Sequence, residues 1–234
     1  MSEGISEGAE FSSLGETFRR LLRRFTRQQS ATPMSAAEED SGKAVLRRSS
    51  GLREFWKVLQ GAEGLKILDL GPASQANVSF ITGLGHKLYT ADLLQAIQRF
   101  IPGEKQQSEV QADLDQFFRE NLNYSEGQFD GVLCWDVFDF VAEPILKSLV
   151  QRMHWSIKPG GAVLSFFHTG PAGQEVPLHS YRIRAEDTLQ VISRGGGRLH
   201  RHFNNRTIET LFTDFASIKF YLARDNLREV ISFR

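Results

Sequence analysis

The sequence lacks several features that would assign it to other classes of protein. Its only cysteine is Cys134, so no intrachain disulfide can form. That favours a reducing compartment, expected to be the cytoplasm. No apolar run approaches the roughly 20 residues that a membrane-spanning helix needs. The acidic N-terminus has no apolar segment of the secretory type, so no signal peptide is expected.

Net charge is also absent, because 28 basic residues balance 28 acidic ones. A neutral chain is not expected to bind nucleic acid through its overall field, although a local basic patch remains compatible with it. The chain has 234 residues, of which 41% are hydrophobic. This is enough for one packed domain with an appendage.

Residues 11–27 have the pattern of a basic amphipathic helix. Apolar side chains recur every three or four residues, at Phe11, Leu14, Phe18, Leu21, Leu22 and Phe25. Five arginines lie between them in the second half of the segment. Such a helix can lie on an anionic membrane or a protein partner, which would make the protein peripheral at a membrane surface. It can equally pack on its own domain with the arginines in solvent.

Residues 28–42 are rich in serine, alanine and acidic side chains, which indicates a linker. We therefore predict an N-terminal tail over residues 1–42 and a globular domain over residues 43–234. A second helical pattern spans residues 45–59 and is interrupted around residues 49–51.

Strands and helices then alternate, which predicts an α/β fold with right-handed crossovers. Five strands are predicted at residues 65–70, 87–91, 109–112, 129–135 and 162–168. Helices are predicted at residues 74–84, 115–121 and 144–157, with a helical or irregular piece at 93–101. The expected architecture is Rossmann-like: a doubly wound, mostly parallel sheet with helices on both faces. Two last strands, at residues 217–224 and 229–233, form an antiparallel pair joined at Asp225-Asn226.

The segment between residues 169 and 213 is harder to assign. Glycine and proline predict irregular structure at residues 169–177, and residues 180–192 show a mixed pattern. Residues 194–198 are expected to form a flexible turn, and residues 206–213 a helix capped by Asn205 or Thr207. This segment is expected to cover the ligand site.

Four successive strands end on polar or aromatic residues at one edge of the sheet. These ends carry Asp69 and Gly71, then Asp92, then Asp113, then Trp135 and Asp136. Ligands of open α/β sheets bind outside the carboxyl ends of the strands. Asp92 follows the glycine turn by about 20 residues, the separation at which an acid reaches ribose hydroxyls. The pattern predicts a site for a nucleotide-like ligand, although Asp69, Asp92 and Asp113 can also cap local structure.

The chain resembles the class I S-adenosylmethionine-dependent methyltransferases, in particular the branch that acts on small molecules and quinone-type substrates. The motifs lie at residues 67–71, 90–92, 111–114 and 129–141, and Ile157-Lys158-Pro159-Gly160-Gly161 is similar to the turn before the family's fifth strand. The resemblance implies S-adenosylmethionine as cofactor. The residues it implies for the cofactor are Asp69, Gly71, Pro72, Ala73, Asp92, Leu93, Asp113, Leu114, Trp135 and Asp136.

The resemblance implies methyl transfer to a small-molecule or lipid-like acceptor. The glycine motif departs from the family pattern, because Ala73 and Gln75 stand where glycines are usual. The alternative is therefore a non-catalytic protein that keeps the fold as a binding or scaffold module. The absence of an Asn/Asp-Pro-Pro-Tyr/Phe stretch disfavours nucleotide methylation. An incomplete glycine fingerprint disfavours an NAD-type oxidoreductase.

No catalytic residue is identified by a motif. His168 at the end of the fifth strand and His179 beyond it are candidates for a general base, if the acceptor must be deprotonated. His200 and His202 alternate along a possible strand, but two histidines without a third ligand do not predict a metal site. We therefore expect no metal. Cys134 is expected to be a small buried apolar residue.

Overall fold

A six-stranded sheet forms the centre of the computed structural model, which describes residues 44–99, 107–222 and 225–234. The strands are β1 Ala44–Arg48, β2 Lys66–Asp69, β3 Lys87–Thr90, β4 Phe129–Trp135, β5 Ile157–His168, β6 Glu175–Ala185, β7 Thr188–Arg198, β8 Ser217–Leu222 and β9 Leu227–Phe233. The α-helices are α1 Ser50–Val58, α2 Gln75–Gly83, α3 Leu93–Arg99, α4 Gln107–Asn121, α5 Glu143–Ser156 and α6 Asn205–Leu211. A 3₁₀ helix spans Val137–Phe140.

The central sheet has the strand order β3-β2-β4-β5-β9-β8. The pairs β3–β2, β2–β4 and β4–β5 are parallel, whereas β9 is antiparallel to both β5 and β8. The predicted α/β architecture with its C-terminal antiparallel pair is confirmed. Asn226 turns the last hairpin with a φ of 60°, a conformation that asparagine tolerates better than most residues.

Successive residues of the central strands point into two separate cores, one on each face of the sheet. Leu68, Val132 and Val163 pack with α3, α4, α5 and α6 on one face. Their neighbours Ile67, Leu133 and Leu164 pack with α1 and α2 on the other. Continuous apolar strands are expected where helices cover both faces. The predicted doubly wound arrangement is therefore confirmed.

The prediction of a third strand at residues 109–112 is wrong. These residues lie in α4, a helix of 15 residues. The helix buries Leu114, Phe117 and Phe118, which share one face at helical spacing. The short alternating run before Asp113 was thus part of a longer pattern with a period near 3.6. Asp113 and Leu114 lie inside a helix and not at a strand end.

A second sheet, of order β1-β7-β6, is antiparallel throughout and covers the α1–α2 face. The sequence predicted none of its strands. Residues 45–48 were assigned to a helix, but they form β1, and the helix begins only after Ser49, whose hydroxyl accepts from the Leu52 amide. The predicted turn at residues 194–198 lies within β7. The possible strand around His200 is also wrong, since residues 199–204 are irregular.

Helix α6 confirms the predicted helix after residue 205, but its cap is Asn204. The Asn204 side chain accepts a hydrogen bond from the Thr207 backbone amide, and the Thr207 hydroxyl accepts one from the Asn204 backbone amide. The proposed tail, including the predicted helix at residues 11–27, lies outside the described residues. Within the described part of the chain, no helix combines the length and the apolarity required to cross a bilayer.

Candidate active site

Asp69 ends β2 and organises the turn that follows it. One carboxylate oxygen accepts hydrogen bonds from the Gly71 amide at 2.9 Å and the Trp135 indole N–H at 2.6 Å. The other accepts from the Asn77 side chain at 2.8 Å. Burial raises the pKa of Asp69, although these three hydrogen bonds oppose the shift. Asp69 therefore acts beneath the site, where it positions the groups that line it.

Gly71 is required by the close approach of Trp135. A Cβ atom at position 71 would lie 2.9 Å from Cδ1 of the indole and 3.2 Å from the Asp69 carboxylate. Both distances are shorter than ordinary van der Waals contact. The first glycine of the motif thus leaves room for an aromatic ring.

Trp135 ends β4 in a left-handed backbone conformation, with a φ of 52°. This is uncommon for a bulky residue and persists only where the surroundings impose it. The indole is fixed by its bond to Asp69 and by a parallel stack on Tyr181, with centroids 5.0 Å apart and planes 10° apart. The strained end of β4 therefore holds an aromatic ring against the glycine turn.

Asp92 follows β3 and has two roles. One oxygen accepts from the Gln95 amide at 3.1 Å and so caps the start of α3. The other lies 3.9 Å from the Arg194 guanidinium of β7. The two interpretations made from the sequence, a helix cap and a ligand-facing acid, are compatible in this geometry.

These elements meet at one pocket, at the carboxyl ends of β2, β3 and β4. Its walls are Leu70, Gly71, Pro72, Asp92, Leu94, Gln95, Gln98, Trp135, Asp136, Val137, Leu178, His179, Tyr181 and Arg194. Five residues predicted for the cofactor are among them: Gly71, Pro72, Asp92, Trp135 and Asp136.

The other five predicted cofactor residues lie elsewhere. Asp69 is buried behind the turn, and Leu93 is a core residue of α3. Ala73 is exposed on the turn. Asp113 and Leu114 belong to α4, and Leu114 packs in the core. None of the five lines the pocket.

Gln75, the residue that departs most from the family's glycine pattern, does not enter the pocket. It is the first residue of α2, is exposed, and donates to the Ser79 hydroxyl at 3.1 Å. The side chain therefore leaves the space beside Gly71 and Trp135 clear.

The hairpin of β6 and β7 closes the pocket with residues that the sequence analysis did not single out, Tyr181 and Arg194. Asn77 of α2 ties this hairpin to the site. Its side-chain amide donates to the Tyr181 carbonyl at 3.1 Å, and its side-chain oxygen accepts from the Ile183 amide at 2.7 Å. The alternation of Tyr181, Ile183, Leu189 and Val191 was the available signal, since these four residues are buried.

A cluster of two acids and two histidines lies beside this pocket. Asp136 accepts from the Tyr181 hydroxyl at 2.9 Å, and its Oδ2 is 3.7 Å from Nδ1 of His179. Asp139 accepts from both the backbone amide and Nδ1 of His168, each at 2.8 Å. His168 and His179 face each other with nearly parallel rings, 6.2 Å between centroids.

The pKa values of the buried pair reflect burial and mutual contact. Burial raises the pKa of Asp139 to about 6, and the hydrogen bond and charge of His168 oppose that shift. For His168 the two effects have the opposite signs. Burial lowers its pKa, but contact with Asp139 outweighs burial, so the net shift is upward. Cys134 lies nearby on β4 and is buried as expected, and burial raises its pKa well above the ordinary value.

Comparison with known proteins agrees with this arrangement. A family model described as a methyltransferase domain matches residues 17–215, most of the chain. The chain belongs to this family of methyltransferase domains. The class I resemblance inferred from the sequence motifs is thus confirmed. None of the curated proteins matches the sequence.

Several solved structures align with this methyltransferase domain at low sequence identity. The PH0226 protein of Pyrococcus horikoshii aligns over 77% of this chain and 86% of its own, at 10% identity and a TM-score of 0.47. The 1,6-didemethyltoxoflavin-N1-methyltransferase of Burkholderia thailandensis was solved with 1,6-didemethyltoxoflavin and S-adenosylhomocysteine. It aligns over 100% of this chain and 93% of its own, at 11% identity and a TM-score of 0.43. The glycopeptide N-methyltransferase MtfA, complexed with S-adenosylmethionine, aligns over 86% of this chain and 99% of its own, at 13% identity and a TM-score of 0.44. Such distant similarity does not indicate a shared substrate.

Proposed function

We propose that the protein transfers a methyl group from S-adenosylmethionine to a small-molecule acceptor in the pocket at the ends of β2, β3 and β4. The observation that carries the proposal is the convergence of Gly71, Asp92 and Trp135, which lie at or just after the ends of three different strands, on one pocket. Family membership supports the same reaction. Nothing in the described residues favours nucleic acid as the acceptor.

The residues present fit the cofactor. Gly71 lines the pocket without a side chain, and this lets the Trp135 ring lie against the turn. Asp92 presents a partly exposed carboxylate that can accept hydrogen bonds from the two ribose hydroxyls. Trp135 lines the pocket with an aromatic ring, and such a ring attracts a cationic sulfonium. When bound, S-adenosylmethionine supplies an activated methyl group, so the protein's main task is to align the acceptor with it.

The hairpin provides the acceptor side of the pocket. Leu178, His179 and Tyr181 of β6 line the pocket together with Gly71 and Pro72. They offer one apolar side chain, one imidazole and one hydroxyl, which suits a small molecule with both apolar and polar atoms. Burial raises the pKa of Tyr181 well above its ordinary value, so the hydroxyl keeps its proton, which it donates to Asp136.

Isothermal titration of the full chain with S-adenosylmethionine and S-adenosylhomocysteine tests the proposal. We expect saturable binding of both at submillimolar concentration. Asp92→Ala should weaken it about 10-fold or more, because a hydrogen bond to a charged group contributes about 1.5–3 kcal/mol. Asp214→Ala, a change of an exposed acid after α6, is the matched control and should leave binding unchanged. Unchanged affinity in Asp92→Ala would show that the ribose is not held there.

A second candidate function is ligand binding without catalysis. The observation that favours it is the position of Arg194, whose guanidinium already faces the Asp92 carboxylate at 3.9 Å. A protein that had abandoned the cofactor could keep this ion pair permanently. In the same titration, failure to bind either cofactor at millimolar concentration would favour this alternative.

A further inference from the structure

We propose that Asp136, His168 and His179 form a binding site for a divalent transition metal of the zinc class. Each residue offers one ligand atom, and the three atoms all lie within 4.8 Å of one another. Two imidazoles with one carboxylate are a ligand set that zinc and related ions accept, with a further position left for water or substrate. This site revises the expectation of no metal, which considered His200 and His202 only.

The spacing suits a metal after small side-chain adjustments. Ligand atoms at about 2.0–2.2 Å from a tetrahedral zinc lie about 3.4 Å from one another. His179 Nδ1 and Asp136 Oδ2 are 3.7 Å apart, already near that value. The upper limit of 4.8 Å for the set requires the ligand atoms to approach by at most about 1.4 Å, within reach of rotations of the side chains.

Asp139 gives His168 the support that metal-binding histidines usually have. Its carboxylate accepts from Nδ1 of His168 at 2.8 Å, so Nε2 is the nitrogen that would coordinate a metal, releasing any proton it carries. Such carboxylate–histidine pairs fix the ring and raise its basicity toward the metal. Asp139 is itself buried and anchored, since it also accepts from the His168 backbone amide.

The site opens on the pocket already described. Asp136 and His179 belong to the pocket wall, whereas His168 lies behind them with only 8% of its surface exposed. A ligand of the metal would therefore enter through the pocket that Gly71 and Trp135 also line.

The use of this position rests on the proposed function. An acceptor with a hydroxyl or thiol could replace the metal-bound water and lose its proton to solvent. The lone pair left on oxygen or sulfur would then form the new bond to the methyl carbon. The carbon–sulfonium bond breaks and its electron pair stays on the cofactor sulfur. The acceptor class is thus a molecule with an ionisable oxygen or sulfur.

Metal titration of the chelator-stripped full chain tests the site without any cofactor, so its outcome is independent of the test for S-adenosylmethionine. We expect one equivalent of Zn²⁺ to bind with a dissociation constant below about 1 μM. His179→Ala and Asp136→Ala should weaken binding about 100-fold or more. His154→Ala is the matched control, because this histidine lies on α5 next to the opposite end of β5.

Asp139→Asn distinguishes a supporting residue from a ligand. It should weaken Zn²⁺ binding about 10- to 100-fold without changing the stoichiometry. Co²⁺ should bind at the same site and give the visible absorption bands of tetrahedral cobalt. Addition of 2-mercaptoethanol should shift those bands if the fourth position is open.

Three results would overturn the proposal: no Zn²⁺ binding, equal binding in His179→Ala, or a preference for Mg²⁺ over Zn²⁺. Unshifted cobalt bands with the thiol would overturn the open position. Thermal unfolding of each variant checks that it folds. If His168→Ala fails to fold, His179→Ala still decides the question, because His179 lies at the pocket surface with 17% of its side chain exposed.

Discussion

Gly71 shows how one missing side chain supports the whole site. A Cβ there would collide with the indole of Trp135 and crowd the Asp69 carboxylate. The ring would have to move, and the hydrogen bond that orients it on Asp69 would be lost. The identity of this residue is therefore set by its neighbour across the sheet as much as by the turn it occupies.

Gly71→Ala should destabilise the fold by about 1–3 kcal/mol, the range for forcing extra atoms into a packed site. It should also weaken S-adenosylmethionine binding at least 10-fold, because the ring beside the turn is displaced. Urea unfolding and calorimetry measure the two effects. Gly83→Ala is the control, since no atom lies within 4 Å of the added Cβ. Alanine in that helix should be neutral or stabilising by up to about 1 kcal/mol. Equal stability of the two variants would contradict the account of Gly71.

The residues that end strands were predictable from the sequence, because an apolar run followed by a polar residue marks a strand end directly. Gly71, Asp92, Trp135 and Asp136 were found this way. Asp69 was also found, but its role was not, since only the structure shows that all its hydrogen bonds point inward. Partners that are distant in sequence, such as Asn77 with Ile183, leave no local signal.

At the level of secondary structure, β1 is held to the central sheet by a buried ionic network. Arg47 contacts both Asp225 and Glu229, and its own side chain is 8% exposed. Glu229 also accepts from the Ser49 hydroxyl at 3.0 Å and from the Gly51 amide. The network thus joins the end of β1, the start of α1 and strand β9.

Arg47→Ala should destabilise the protein by about 3–5 kcal/mol, because it leaves the buried Glu229 carboxylate without its cation. The adjacent Arg48 offers a matched control. It pairs with Asp187, but its side chain is 79% exposed, so Arg48→Ala should change stability by at most about 1 kcal/mol. Urea unfolding of both variants measures the difference. Similar values for the two would mean that the Arg47 network contributes no more than a surface pair.

The errors at this scale have physical causes. The pattern at residues 109–112 was too short to separate a strand from the first turns of α4. The hairpin of β6 and β7 contains glycines and a proline, which predicted irregular structure, although Gly196 and Gly197 lie within β7. Packing against α2 and β1 stabilises those strands, and local propensity does not report such contacts.

For the whole molecule, the two cores share the same strands, because alternate residues of β2, β4 and β5 enter opposite faces. The pocket lies where the ends of these strands meet the hairpin of the second sheet. A ligand there contacts elements from the central sheet and from its cover. Binding energy should therefore stabilise the domain as one cooperative unit.

S-adenosylmethionine at 100 times its dissociation constant should stabilise the native state by about 2.7 kcal/mol. For a chain of this size, that corresponds to a rise of about 5–10 °C in the unfolding temperature. Far-ultraviolet circular dichroism and tryptophan fluorescence should report the same midpoint. The rise should shrink in Asp92→Ala at equal cofactor concentration and persist in Asp214→Ala. Midpoints that separate on adding the cofactor would show that the hairpin unfolds independently.

The conformation of Trp135 gives the protein an optical reporter of its own site. Its indole is stacked on Tyr181 and bonded to a carboxylate, so any ligand that enters beside Gly71 alters the surroundings of the excited ring. The other two tryptophans are Trp56, a buried residue of α1, and Trp155, which is 48% exposed. With both replaced by phenylalanine, the remaining emission would come from the pocket alone. Binding of cofactor, acceptor or metal could then be followed by the fluorescence of Trp135, without a label.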